Sequence, residues 1–224
     1  MARLPSLVEA LAAHDERSET LIAQYARVLR EKDKIISDRA GLGAAMMTVD
    51  DATTLLMATL GAATPAAGPD TVDQMRQLRP LVAERYKEDH PLDLVHGLPF
   101  EKALRHCIEN AEDISVWAAT YKPRVTGDWL EDGPWNQITG DAPRTRMLNI
   151  AVYNGGTFAE ITFGAGRRAG GLFDHMYTVG GGTGAHFSSG YGSRGAGLDL
   201  LVALKRAVDA PIQPRTWKRQ KRTH

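Results

Sequence analysis

The feature that most constrains the fold of this 224-residue chain is a change in the spacing of its apolar residues. Up to about residue 111 they recur every three or four positions, which is the period of an amphipathic helix. The runs 147–153 and 157–163 instead have the composition of strands, and the Asn-Gly-Gly sequence between them is typical of a hairpin turn. A third extended run covers 171–179, and 185–189 is a possible edge strand. The sequence therefore predicts an α+β protein in which helices precede a small antiparallel sheet.

Three helices are predicted in the first 61 residues. The first covers 4–11, and the second begins after the capping hydroxyl of Ser18 and has its apolar face at 21–29. The third follows Thr48 and Asp51, which are spaced as in a capping box. We therefore predict a helical, winged helix-turn-helix-like domain in this part of the chain.

The wing of that domain is predicted at 37–45, where two glycines and small residues are typical of a loop or short ribbon. After the third helix, two prolines among small residues favour a linker. Further along, apolar spacing predicts helices before the sheet and a last amphipathic helix at 198–208 that covers one face of the sheet. The predicted organisation is a winged helix-turn-helix-like DNA-docking domain at 1–61, a linker at 62–70, an α+β domain at 71–210 and a basic tail at 211–224.

The polar face of the second helix is the candidate DNA-binding surface. A helix-turn-helix protein lays the exposed side of one helix in the major groove, where polar and basic side chains meet base edges and phosphates. The candidate residues are Thr20, Gln24 and Arg27 for the groove, Arg30 and Lys34 for phosphates, and Arg39 on the wing. One such module is small, so reading two half-sites as a homodimer is also expected.

A resemblance supports this interpretation. The runs ARVLREK at 26–32, GLGAA at 41–45 and MTVDDA at 47–52 resemble the start of uncharacterised bacterial and prophage proteins with a winged-helix-like N-terminus. In those relatives a glycine often stands where this chain has Asp33. The resemblance covers about the first quarter of the chain and implies a transcriptional or mobile-element regulator, with no known ligand. The polar face of the second helix predicts double-stranded DNA as its partner.

Composition argues against a strong non-specific nucleic-acid binder, a disulfide-stabilised protein and a membrane-spanning protein. The chain has 27 basic and 27 acidic residues, so no overall positive field attracts it to nucleic acid, and acidic residues outnumber basic ones within 1–60. A single cysteine, Cys107, forms no intramolecular disulfide, and no apolar run approaches the ~20 residues of a membrane-spanning helix. We expect a cytoplasmic protein with no membrane partner.

Two alternatives remain open. His175 and His186, near Asp174 and several hydroxyl residues, are candidates for a hydrolase or nuclease site on the sheet, although nothing in the sequence fixes their geometry. A phage structural or adaptor protein would instead use the tryptophan-bearing stretch at 122–146 for assembly. No cofactor, metal or catalytic residue is predicted, because Gly180 to Gly184 lacks the Lys-Ser/Thr of a P-loop and no zinc-ligand spacing occurs.

Overall fold

A computed structural model of the chain describes residues 3–36, 46–81, 95–120, 148–163, 173–178 and 193–210. Within these ranges, seven α-helices and one five-stranded antiparallel sheet confirm the α+β prediction. The helices are α1 (Leu4–Ala12), α2 (Glu19–Glu31), α3 (Val49–Gly61), α4 (Gly68–Met75), α5 (Phe100–Glu109), α6 (Ala111–Thr120) and α7 (Leu198–Asp209). The strands are β1 (Arg79–Pro80), β2 (Leu148–Tyr153), β3 (Phe158–Phe163), β4 (Phe173–Thr178) and β5 (Ser193–Gly197).

The three predicted N-terminal helices are present, with the predicted caps. The hydroxyl of Ser18 accepts a hydrogen bond from the amide of Leu21 at 3.3 Å, which satisfies one of the free donors at the start of α2. At the start of α3, Thr48 Oγ1 accepts from the Asp51 amide at 3.2 Å, and Asp51 accepts from the Thr48 amide at 2.8 Å. This reciprocal pair is the predicted capping box.

The sheet is built around the predicted hairpin, and its strand order is β1-β4-β3-β2-β5. Strands β2 and β3 pair from Leu148 opposite Phe163 to Tyr153 opposite Phe158. The turn between them includes a short 3₁₀ helix, Asn154–Gly156, in which the last two residues have φ of 64° and 92°, values that glycine adopts without strain. Strands β1 and β5 were not expected from the sequence, and the predicted edge strand at 185–189 lies outside the described residues.

Helix α3 lies at the centre of the molecule. All of its residues from 51 to 61 are buried, and it contacts α2, α4, α5, α7 and the strands β2 and β5. Two of its three buried threonines bond within the helix: Thr53 donates to the Val49 carbonyl at 2.7 Å and Thr59 donates to the Leu56 carbonyl at 2.9 Å. These bonds satisfy hydroxyl groups that would otherwise be costly to bury.

The last helix, α7, is present where it was predicted. It packs mainly against α1, α5 and α6, and its contact with the sheet is with β5. Helix α3 contacts two strands of the sheet, β2 and β5. The apolar stripe that defined α7 in the sequence is buried; it consists of Leu198, Leu200, Leu201, Leu204 and Val208.

Part of the segment predicted as a linker, 62–70, is buried. A 3₁₀ helix, Pro65–Ala67, leads directly into α4, and Ala62, Gly68 and Pro69 are buried, whereas residues 63, 64, 66 and 70 are exposed. A Cβ built on Gly68 would lie 3.5 Å from the Tyr25 ring, which is an ordinary van der Waals contact. The buried core is continuous from residue 7 to residue 208, so it extends across the boundary that was predicted between 1–61 and 71–210.

Candidate nucleic-acid interface and a neighbouring cleft

Four of the six predicted DNA-binding residues share one exposed side of α2. We call this surface the α2 face; it consists of Thr20, Gln24, Arg27 and Arg30, which are all exposed. The opposite side of the helix is anchored in the core by Ile22, Tyr25, Ala26 and Leu29. The same periodicity that buries one side therefore presents the four polar residues together.

The two arginines of the α2 face differ in their partners. Arg27 Nε donates to Glu31 Oε1 at 2.7 Å, and its side chain is 73% exposed. This hydrogen bond, reinforced by the charge of Glu31, raises the pKa of Arg27 above its usual value. Arg30 forms no ion pair with any other described residue. Its guanidinium is the cation on this face that is open to an external anion.

The other two predicted residues are not placed on the α2 face. Lys34 Nζ lies 2.6 and 2.7 Å from the two carboxylate oxygens of Asp73, so its charge is paired and joins the end of α2 to α4. Arg39 lies outside the described residues. Of the two cations expected to contact phosphate from the helix, only Arg30 is therefore unpaired within the described part of the chain.

Asp33 lies two positions after Glu31, the last residue of α2, and has a φ of 53° in the left-handed region. The Lys34 amide donates to the Leu29 carbonyl at 2.9 Å, and the Asp33 amide donates to the Arg30 carbonyl at 3.2 Å. This pattern is a Schellman motif, whose left-handed position is most often occupied by glycine. Asp33 is also the position at which the resemblance noted above expects glycine.

Asp51 holds together the two ends of the predicted wing. Its carboxylate is buried and accepts from the Ile36 amide at 2.9 Å on one oxygen. The other oxygen accepts from the Thr48 amide and hydroxyl, both at 2.8 Å. Ile36 precedes and Thr48 follows residues 37–45, which lie outside the described ranges, so one carboxylate joins described residues on either side of the predicted wing.

A cleft of about 480 Å³ lies beside the start of α2. We call it the α3 cleft, since one side of α3 forms part of its wall. Its apolar residues are leucines from three helices, and its polar residues come from the α1–α2 connection, from α3 and from β5. The lining residues are Leu11, His14, Asp15, Glu16, Arg17, Leu56, Thr59, Leu60, Arg194, Gly195 and Leu200.

One side of the α3 cleft is held by an ion pair within the α1–α2 connection. Arg17 Nε donates to Asp15 Oδ1 at 2.8 Å, Nη2 donates to the other oxygen, and the Arg17 amide donates to Oδ1 at 2.9 Å. Burial raises the pKa of Asp15, but these hydrogen bonds and the positive charge of Arg17 outweigh it, so that the pKa is lowered. The guanidinium carbon of Arg17 lies 5.4 Å from the centre of the Tyr25 ring, within cation–π range.

Arg194, from β5, also lines the cleft and caps the C-terminal end of α3. Its Nη1 donates to the carbonyls of Thr59 at 3.2 Å and Ala62 at 2.6 Å. The Ala62 carbonyl also accepts from the Tyr25 hydroxyl at 2.9 Å. A positive charge near a helix C-terminus is favourable, because the last carbonyls carry partial negative charge.

Sequence reasoning did not identify Arg17 or Arg194 as members of a site. Arg17 lies in the connection between the first two predicted helices, and Arg194 lies in a glycine-rich stretch with no strand periodicity. The suggested catalytic histidines are also not tested: β4 includes His175, whose side chain is not described, and His186 lies outside the described residues. Among the described residues, no three His, Cys, Asp or Glu side chains are grouped to hold a metal ion.

Comparison of the chain with protein-family models, with curated proteins and with solved structures gives no match. The resemblance to prophage proteins and the winged helix-turn-helix assignment therefore stay predictions. In the described ranges, none of the helices has the length and apolar character needed to cross a bilayer.

Proposed function

We propose that the chain is a DNA-binding regulator, transcriptional or belonging to a mobile element, that contacts double-stranded DNA through the α2 face. The observation that carries this proposal is the exposure of Thr20, Gln24, Arg27 and Arg30 on one side of a helix whose other side is fixed in the core. A rigid helix with an exposed polar side has the form that major-groove recognition requires.

The chemistry of the four side chains fits a division between base and phosphate contacts. Gln24 and Thr20 hydrogen-bond to base edges, and an arginine in the groove donates two bonds to guanine. Arg27 would exchange Glu31 for DNA, which costs little because an exposed ion pair contributes about 0–1 kcal/mol. Arg30, which has no ion-pair partner among the described residues, contacts phosphate.

In this proposal, α1 to α3 are the helices of a winged helix-turn-helix-like module, and 37–45 is its wing. Support comes from Asp51, which binds Ile36 and Thr48 on either side of that segment. Because α3 is buried from 51 to 61, α2 is the helix of the three whose exposed side has the composition of a DNA-contacting surface. A protein with zero net charge gains little non-specific affinity, so binding depends on the few base contacts.

The proposal is tested by selecting bound sequences from a random duplex library and measuring the affinity for the selected site at several salt concentrations. Changing both Arg27 and Arg30 to Ala should weaken binding by about 30-fold or more, because each of the two lost contacts contributes on the order of 1 kcal/mol or more. A homodimer should select an inverted repeat with half-sites about 10 base pairs apart.

The matched control is Arg206→Ala on α7. Arg206 is 71% exposed and pairs with Glu112 at 2.9 Å, much as Arg27 is 73% exposed and pairs with Glu31. Loss of affinity in the α2 variant alone supports the proposal. Failure to enrich any duplex sequence, or equal affinities for the two variants and the unchanged protein, would reject it.

A further inference from the structure

We propose that the α3 cleft binds a small organic molecule with one carboxylate and an aliphatic body. The inference does not depend on the proposed DNA binding, since it rests on a different set of residues. It is carried by the combination of an apolar floor, a guanidinium with unused donors and a neighbouring acid whose charge is already neutralised.

The size and floor of the α3 cleft suit a small ligand. Its volume of about 480 Å³ lies within the usual range of ligand pockets, roughly 300–1,000 Å³. The apolar part of the lining contains no aromatic ring: Leu60 and Leu200 are each 6% exposed, and Leu11 and Leu56, at 1% and 0%, lie behind them in the core. An aliphatic chain placed against Leu60 and Leu200 is partly removed from water, which favours binding by about 25 cal/mol for each Å² of apolar surface.

Arg194 provides the group that recognises the carboxylate. It uses Nη1 for the carbonyls of Thr59 and Ala62, while Nε and Nη2 form no hydrogen bond with any described residue. The Nε and Nη2 edge of a guanidinium donates two parallel hydrogen bonds that match the two oxygens of a carboxylate. The bonds of Nη1 to α3 hold the guanidinium in place before the ligand arrives, which lowers the entropic cost of binding.

The other charged groups of the cleft favour a single negative charge on the ligand. Asp15 accepts three hydrogen bonds from Arg17, and the charge of Arg194 makes a smaller contribution to the lowered pKa of Asp15. Arg194 is exposed and forms no ion pair within the described ranges, so an anion can reach it. Glu16 is exposed on the lining and repels a second negative charge more than a first. A monocarboxylate therefore fits the cleft better than a dicarboxylate or a phosphate ester.

The test is isothermal titration of the full chain with octanoate, below the concentration at which it forms micelles. Octan-1-ol and methyl octanoate keep the aliphatic body without the charge, and acetate and inorganic phosphate keep a charge without the body. Octanoate should bind about 10- to 100-fold more tightly than each of these four. Octan-1-ol and methyl octanoate lack the carboxylate that pairs with Arg194, and acetate and phosphate lack the aliphatic chain that is removed from water.

Arg194→Lys removes the two-donor edge while keeping a positive charge near the end of α3, and should weaken octanoate binding by about tenfold without changing the response to octan-1-ol. Arg206→Lys on α7 is the matched control and should bind octanoate as the unchanged protein does. Thermal unfolding of each variant shows whether it is folded.

Equal affinities for octanoate and octan-1-ol would overturn the proposal, as would the absence of octanoate binding. Full octanoate affinity in a folded Arg194→Lys protein would also overturn it. If that variant does not fold, the comparison of octanoate with methyl octanoate on the unchanged protein decides the matter. Tight binding of phosphate with weak binding of octanoate would show a general anion site and likewise overturn the assigned ligand class.

Discussion

Helices α2 and α3 are consecutive, have 13 residues each and begin at a hydroxyl cap, yet they occupy opposite environments. Helix α2 buries one side and exposes the polar α2 face. Helix α3 is buried on all sides from 51 to 61. The difference corresponds to charge: α2 carries charged residues from its first position to its last, whereas α3 has charged residues only in its first turn.

In these two helices, apolar spacing and capping residues indicate where the helix lies, whereas the distribution of charged residues indicates how much of its surface is buried. Thr53 and Thr59 of α3 do not require solvent, because they bond to carbonyls of their own helix, and Thr54 accepts a hydrogen bond from Arg76. A surface helix of a small DNA-docking domain and the central helix of a larger core can therefore have similar sequence signals. Three substitutions test how far the comparison holds.

The largest expected effect is the loss of a core side chain from α3. Leu55 has no exposed surface, so Leu55→Ala should lower the free energy of unfolding by about 2–5 kcal/mol through lost burial and the cavity left behind. On the α2 face, Gln24→Ala should change the same free energy by less than about 0.5 kcal/mol. Urea unfolding measures both; losses of similar size would show that the two helices do not differ as described.

A smaller loss is expected at the start of α3. Asp51→Asn keeps the shape of the side chain but replaces one acceptor oxygen with a donor NH₂ group, which then faces a donor at Ile36 or Thr48. We expect a loss of about 1–3 kcal/mol in the free energy of unfolding.

The control for that change is the preceding residue. Asp50 is 66% exposed and pairs with Arg105 at 3.1 Å, so Asp50→Asn should cost about 0–1 kcal/mol. Thermal and urea unfolding of both proteins give the comparison. Equal effects at the two positions would contradict the role of Asp51 as a buried tie between Ile36 and Thr48.

The smallest effect is a gain in stability at the end of α2. Asp33 has a φ of 53°, where a side chain is strained and glycine is not, so Asp33→Gly should raise the free energy of unfolding by about 0.5–1 kcal/mol. Lys32, with a φ of −105°, is the control, because Lys32→Gly gains no relief and should lower stability slightly. A loss in both proteins would rule out strain at Asp33.

Sequence patterns predicted those parts of the fold that depend on nearby residues. The caps at Ser18 and Thr48 and the hairpin around Asn154–Gly156 are confirmed, because each is determined within a few positions of the chain. The burial of Ala62, Gly68 and Pro69 within the predicted linker at 62–70 does not follow from local composition, because it depends on distant neighbours such as Tyr25.

In the candidate site too, local features were predicted from the sequence and long-range contacts were not. The exposure of Thr20, Gln24, Arg27 and Arg30 follows from helical periodicity alone. The pairing of Lys34 with Asp73 does not, since it joins residues 39 positions apart. The α3 cleft was not predicted, because its lining residues Arg17 and Arg194 come from distant parts of the chain. Apolar spacing and capping signals concern only residues that are close in sequence.

The carbonyl of Ala62 has a consequence for the order in which the protein acquires its structure during synthesis. It is bonded both by Tyr25 from earlier in the chain and by Arg194, which is 132 positions later. The ribosome produces about 5–20 residues each second, so Arg194 is synthesised several seconds or more after the end of α3. During that interval the helices already made have an incomplete core. A fragment that stops before β5 should therefore be incompletely folded and be degraded by proteases faster than the full chain.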